Sequence, residues 1–240
     1  VIFLDWSGSM WHNLEGTVKQ LYNLLWFCQR VKIPFEVYAF SDNYRRADYE
    51  SGNTIYYQKP RVNDLAIEGL HLLNFFSSNM STNEFNEAMV KFHTLVGTVT
   101  HRQSYYCKDI PFLSSPRNFD LYGTPLDTAI LVAMDVLPKF KSETGVQKVN
   151  TIFLTDGASH DLSNFYNSTV NRDGDVVEGQ GYFGTKKTVI TDPISNTKVF
   201  YKEDGKRNYS WDIQTQLLLK LLKSRMPEMN IVGFFIAGEG

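Results

Sequence analysis

The chain has 240 residues, of which 42% are apolar and 14% aromatic, with a formal net charge of −2; this suits a single globular domain with a well-buried core. Acidic and basic residues are mixed along the chain, so no basic stripe is present to release counterions from a nucleic-acid backbone, and no run approaches the roughly 18 apolar residues of a membrane helix. The two cysteines, Cys28 and Cys107, show neither CxxC nor framework spacing, which points to free thiols in a reducing, intracellular setting.

Residues 1–4 form a short apolar run that ends in the polar turn DWSGSM, as expected of a strand buried on both faces. Residues 17–31 place Val18, Leu21, Leu25 and Cys28 near helical spacing, closed by Pro34. FEVYAFS (35–41) is a second strand followed by the turn residues SDN, and HLLNFFS (71–77) is a third. From Ser81 the spacing of Phe85, Met89, Phe92 and Val96 predicts a helix capped by Ser81 or Thr82. Residues 98–122 are irregular. TPLDTAILVAMDVL (124–137) is a further helix with Pro125 in its first turn, and VNTIFLTDG (149–157) repeats the opening arrangement of apolar strand, carboxylate and glycine turn. Residues 163–210 interrupt the rhythm with short β-prone runs between turn signals, which predicts a β-hairpin insertion. An amphipathic helix (211–226) and a last buried strand (231–237) follow. Strands alternating with helices predict an α/β fold, doubly wound, with a mostly parallel Rossmann-like sheet covered by helices on both faces.

In such a sheet, ligands bind outside the carboxyl ends of the strands, where the connections change direction. Asp5, Ser7 and Ser9 follow one strand, Asp156 follows another, and Thr124 stands ahead of a helix in YGTPLDTAI. Carboxylate and hydroxyl oxygens without His or Cys are hard ligands, suited to Mg²⁺, Mn²⁺ or Ca²⁺ rather than zinc. Alternate positions after a strand can point the same way, so Ser7 and Ser9 can reach one ion while Gly8 and Gly157 let the two loops approach closely. Mg²⁺ keeps part of its shell for water or a ligand's oxygens, which leaves a position open.

DWSGSM resembles the DxSxS element of the metal-ion-dependent adhesion site in von Willebrand factor type A domains; YGTPLDTAI is similar to that family's threonine turn, and FLTDGAS to its strand-end Asp-Gly. The elements stand in the family's order, and the resemblance spans the chain apart from residues 98–122 and 163–210, which look like insertions. It implies that Ser7, Ser9 and Thr124 ligate the metal, that Asp5 and Asp156 act directly or through water, and that an acidic residue of a partner protein completes the shell. It also implies a final helix beyond residue 240. The GTPL and TDG turns are similar to the intracellular branch that works beside AAA+ ATPases, such as the cobaltochelatase partner subunit and its phage-encoded relatives. That similarity implies the cytoplasm of a bacterial or phage-infected cell.

The function expected is thus a divalent-metal-dependent protein-binding module, without catalytic residues and with no nucleic-acid or membrane partner. Two alternatives stand beside it: a subunit of an AAA+ ATPase-driven chelatase or remodelling complex, and a metal-dependent hydrolase with His160 as base. Individual residues also carry plainer readings. Thr124 is placed to be an ordinary N-cap before Pro125, Thr82 is a rival for its role, and His12 stands close to the hydroxyl loop. Asp173 and Asp175 in NRDGD lack the later ligands of a calcium loop and read as a hairpin turn. Trp6 and Trp11 flank the hydroxyl loop as an aromatic rim or as packing against the sheet.

Overall fold

The computed structural model describes residues 1–42, 60–65, 67, 69–103, 119–157, 159, 164–170, 173–174, 176–182, 188–201 and 210–237. Its strands are β1 (Ile2–Asp5), β2 (Glu36–Asp42), β3 (Leu70–Ser77), β4 (Asn150–Thr155), β5 (Asn164–Val170), β6 (Val176–Tyr182), β7 (Thr188–Thr191), β8 (Lys198–Tyr201) and β9 (Asn230–Phe235). The helices are α1 (Leu14–Arg30), α2 (Thr82–Gln103), α3 (Leu126–Thr144) and α4 (Ser210–Arg225), and a 3₁₀ turn covers Gly8–His12. The main sheet has the order β3-β2-β1-β4-β9. Its pairings are parallel except β2 with β3, which is antiparallel. The fold is therefore α/β with a five-stranded, mostly parallel sheet.

The alternation of side chains along β1 explains its unbroken apolar run, since successive residues point to opposite faces and both faces are packed. Val1 and Phe3 join a core cluster with Ile130, Leu137, Leu218 and Leu222 of α3 and α4. Ile2 and Leu4 join another with Leu21 and Leu25 of α1 and Phe85 and Phe92 of α2. The helical spacing expected from Ser81 is the buried face of α2: Phe85, Met89, Phe92 and Val96 are 1–7% exposed. Ser81 and Glu84 close a capping box, with the Ser81 N–H donating to Glu84 Oε2 at 2.8 Å and the Glu84 N–H to Ser81 Oγ at 3.3 Å. Cys28, expected on the inner face of α1, is only half-buried.

Some expectations are corrected. Pro125 is the N-cap residue of α3, not part of its first turn, because its ψ of 55° is not helical. Helix α2 runs to Gln103, so the irregular stretch expected from residue 98 begins inside a helix. Residues 163–210 carry two antiparallel ladders, β5 with β6 and β7 with β8, where a single hairpin was expected; two separate turn signals, NRDGD and DPISNT, each reverse the chain. Strand β9 is apolar in sequence yet exposed, with Val232, Phe234 and Phe235 at 39, 52 and 71%. It pairs with β4 alone among the described strands, and Phe234 lines an open groove of about 1090 Å³ beside α1.

An ion pair ties the β7–β8 hairpin to the helices. Arg225 of α4 donates from Nε and Nη2 to Asp192 Oδ1 at 2.9 and 2.6 Å. Its Nη1 donates to the Met134 carbonyl at 3.2 Å. Pro138, inside α3, has no N–H for the carbonyl four residues earlier. Arg225 thus satisfies an acceptor that the helix itself leaves open.

Candidate metal centre

The central strand β1 has β2 on one side and β4 on the other, so the chain leaves it in one direction and returns beside it from the opposite one. A crevice opens at such a point, outside the carboxyl ends of β1 and β4. Asp5 is the last residue of β1, and Asp156 directly follows β4. Both expected carboxylates therefore arrive at the same end of neighbouring strands.

After Asp5 the chain is held from three sides. The Trp6 N–H donates to the Phe40 carbonyl at 2.9 Å and the Gly8 N–H to the Tyr122 carbonyl at 2.6 Å. The Trp6 indole is fully buried against Phe75 and Phe92, and its Nε1–H donates to the Phe119 carbonyl at 2.9 Å. Trp6 is thus an anchor in the core and no part of an aromatic rim. Half-buried Trp11 lies against the exposed His12 ring. With Trp6 fixed inward, Ser7 and Ser9 share a side: their Oγ atoms are 3.0 Å apart, and Ser9 Oγ donates to Asp156 Oδ1 at 2.8 Å. Ser7 is buried and Ser9 exposed, so the cluster has a closed end and an open one.

Asp5 is the closed end. It is fully buried; Thr155 Oγ1 donates to its Oδ2 at 2.6 Å, while Oδ1 has no hydrogen-bond partner. Burial pushes its carboxyl up to about 6; the Thr155 hydroxyl opposes the rise, as do the Ser7 hydroxyl and N–H, which lie near the carboxylate without reaching hydrogen-bond geometry at Oδ1, and the nearby Asp156 adds to it. A buried carboxylate with an orphaned oxygen is costly unless a cation or donor meets it. The donor set beside it is two carboxylates and serine hydroxyls, which fits a hard divalent ion.

Thr124 enters through its loop. Tyr122 forms a parallel bridge with Ser7, and the Gly123 N–H donates to Asp42 Oδ1 at 2.5 Å. This brings the loop carrying Thr124, itself 6% exposed, against the hydroxyl turn. Thr124 is not the N-cap of α3, a position that Pro125 takes. Thr82 opens α2 at another part of the sheet and is no rival. His160 and Cys107 lie outside the described residues, as does Asp175; Asp173 and Gly174 form the turn between β5 and β6. Among the described residues no group of three or more His, Cys, Asp or Glu side chains could hold a metal; the cluster here relies on hydroxyls for the rest of its oxygens.

Sequence reasoning passed over residues that hold the loops around these side chains in place. Asp42 was legible only as turn chemistry, yet it fixes the Thr124 loop. Asp127, fully buried in the first turn of α3, donates its N–H to Ser159 Oγ at 2.8 Å and accepts from the Thr215 hydroxyl. Thr155 had a usable signal: along β4 the residues 151, 153 and 155 are the buried set, and a hydroxyl at the end of that row needs a partner inside.

No family model matches the chain, and no curated protein matches it. Among solved structures it is similar to the pilus adhesin SpaC from Lactobacillus rhamnosus GG in its open conformation, with 15% identity and a TM-score of 0.43. The match covers 97% of this chain and 23% of that one, so the chain spans about a quarter of the adhesin's length. The membership expected from the three motifs is corrected accordingly. No family model matches, that of a von Willebrand factor type A domain included, so the chain is not assigned to that family. Short motifs of Asp, Ser, Thr and Gly at strand ends also suit any oxygen-lined crevice of a parallel sheet, and they specify far less than a whole domain does.

Proposed function

We propose that the chain is a divalent-metal-dependent protein-binding module, holding Mg²⁺ or a similar hard cation with Asp5, Ser7, Ser9, Thr124 and Asp156 and taking a carboxylate of a partner protein at the open side. The observation that carries this reading is the orphaned Oδ1 of fully buried Asp5, set in an oxygen cluster that opens to solvent at Ser9. A bound cation supplies the positive charge that the Asp5 carboxylate lacks and attracts an anionic oxygen from outside. Ser7 Oγ and Ser9 Oγ are bonded to each other and Ser9 Oγ to Asp156, an arrangement of oxygens that supports ligation of a cation. The sheet in this reading is doubly wound, with α1 and α2 over one face and α3 and α4 over the other, and the site lies at its switch point.

The test is calorimetric titration of Mg²⁺ and Mn²⁺ into the wild type and the Ser7→Ala/Ser9→Ala variant. One-site binding lost in the variant is the expected result. Equal binding by both proteins would overturn the assignment of the hydroxyls, and absence of binding to the wild type would overturn the metal site.

A further inference from the structure

We infer that Thr155 is a positioning residue that turns Asp5 into a one-oxygen ligand and so biases the site toward small octahedral cations over calcium; the inference rests on the metal site proposed above. Each of the two carboxylates has one oxygen already engaged. Thr155 Oγ1 donates to Asp5 Oδ2 at 2.6 Å, and Ser9 Oγ donates to Asp156 Oδ1 at 2.8 Å. A hydroxyl has one proton, and the Thr155 proton goes to Asp5: the competing Gly157 carbonyl is farther, at 3.2 Å, and uncharged. The Gly157 N–H in turn donates to Thr155 Oγ1 at 3.3 Å. One buried hydroxyl therefore ties the end of β1 to the turn that carries Asp156.

The consequence concerns coordination number. Calcium takes six to eight oxygens and commonly uses carboxylates through both of theirs, whereas Mg²⁺ and Mn²⁺ favour octahedral shells with single oxygens. With Oδ2 held by Thr155, Asp5 presents Oδ1 alone. Nothing in the motifs around Asp5, Ser7 and Ser9 encodes this restriction, because the controlling hydroxyl arrives from β4.

The experiment measures Mn²⁺ and Ca²⁺ affinities by calorimetry, and the Mn²⁺ environment by electron paramagnetic resonance, for the wild type, Thr155→Val and Thr155→Ser. Valine keeps the shape and removes the hydroxyl; serine keeps the hydroxyl. The expected result is about a tenfold or larger loss of Mn²⁺ affinity in Thr155→Val. Its Mn²⁺-to-Ca²⁺ affinity ratio also falls and its Mn²⁺ spectrum changes, and Thr155→Ser restores all three. A Thr155→Val protein with the wild-type ratio and spectrum would overturn the inference while leaving the metal site standing, as would a serine variant that does not restore them. A wild type that binds neither ion would overturn the metal site and this inference with it.

Discussion

Asp5 and Asp192 are both buried carboxylates, at 0 and 3% exposure, yet the chain treats them in opposite ways. At Asp192 burial pushes the carboxyl up, but the Arg225 guanidinium, the Ser195 hydroxyl and the backbone N–H groups of Ile194 and Ser195 outweigh it and hold it well below the usual carboxylate range. At Asp5 burial wins, the carboxyl rises to about 6, and Oδ1 stays without a partner. Asp192 is braced by donors on both oxygens, whereas Asp5 is short of donors within a cluster of oxygens, and the metal site proposed above rests on that shortfall.

Removing the guanidinium should break this comparison most severely. Arg225→Met leaves the Asp192 charge buried and frees the Met134 carbonyl that Pro138 cannot satisfy. It is expected to cost roughly 3–5 kcal/mol in urea unfolding. Asp5→Asn should act with the opposite sign: in chelator at pH 8 it relieves a charge whose burial costs up to about 3 kcal/mol, so the variant unfolds at higher urea while losing metal binding. A variant that is less stable and still binds Mg²⁺ would show that Asp5 is structural.

The pH dependence sharpens the same contrast. Because the folded Asp5 carboxyl lies above its unfolded value of 3.8, the metal-free fold binds the extra proton between that value and about 6, and stability falls as pH rises through this window. Asp192 lies below its unfolded value, so its contribution is present above pH 3.8 and is lost as pH falls toward the folded value. Urea unfolding across pH 3 to 8 should therefore lose its decline above pH 4 in Asp5→Asn and lose its acid arm in Asp192→Asn. A smaller effect, about 1 kcal/mol, is expected for Ser195→Ala, which removes the hydroxyl that donates to Asp192 Oδ2 at 2.6 Å. The exposed Lys19–Glu15 pair sets the floor, with Lys19→Ala expected to leave the urea unfolding midpoint unchanged.

The Arg225 latch also shows where sequence reading stops. Asp192 stands in a turn signal and Arg225 in the last turn of an amphipathic helix, 33 positions apart, and neither position predicts the other. The β7–β8 hairpin they join was legible as β-prone, while its separation from β5–β6 was not. The same limit applied at Trp6, whose place beside the hydroxyl turn left a rim and packing against the sheet equally open, and whose ring points into the core between Phe75 and Phe92.

The sequence by itself determined most of the elements and the end of the sheet at which Asp5, Ser7, Ser9 and Asp156 gather. Side-chain periods of two and about 3.6 report directly on which faces are buried, so β1, α1, β2, β3, α2, β4 and α4 were visible, as were the Asp5, Ser7 and Ser9 turn and the Asp156 turn. Only the tertiary structure decided what each oxygen meets. Strand order brings Thr155 beside Asp5 from 150 positions away and the Tyr122 loop beside Gly8. Strand pairing also leaves β9 an exposed strand despite its apolar composition. The reason is that periodicity is a local property of the chain, whereas the partner of a buried polar atom is set by which strands become neighbours, and no short stretch of sequence contains that choice.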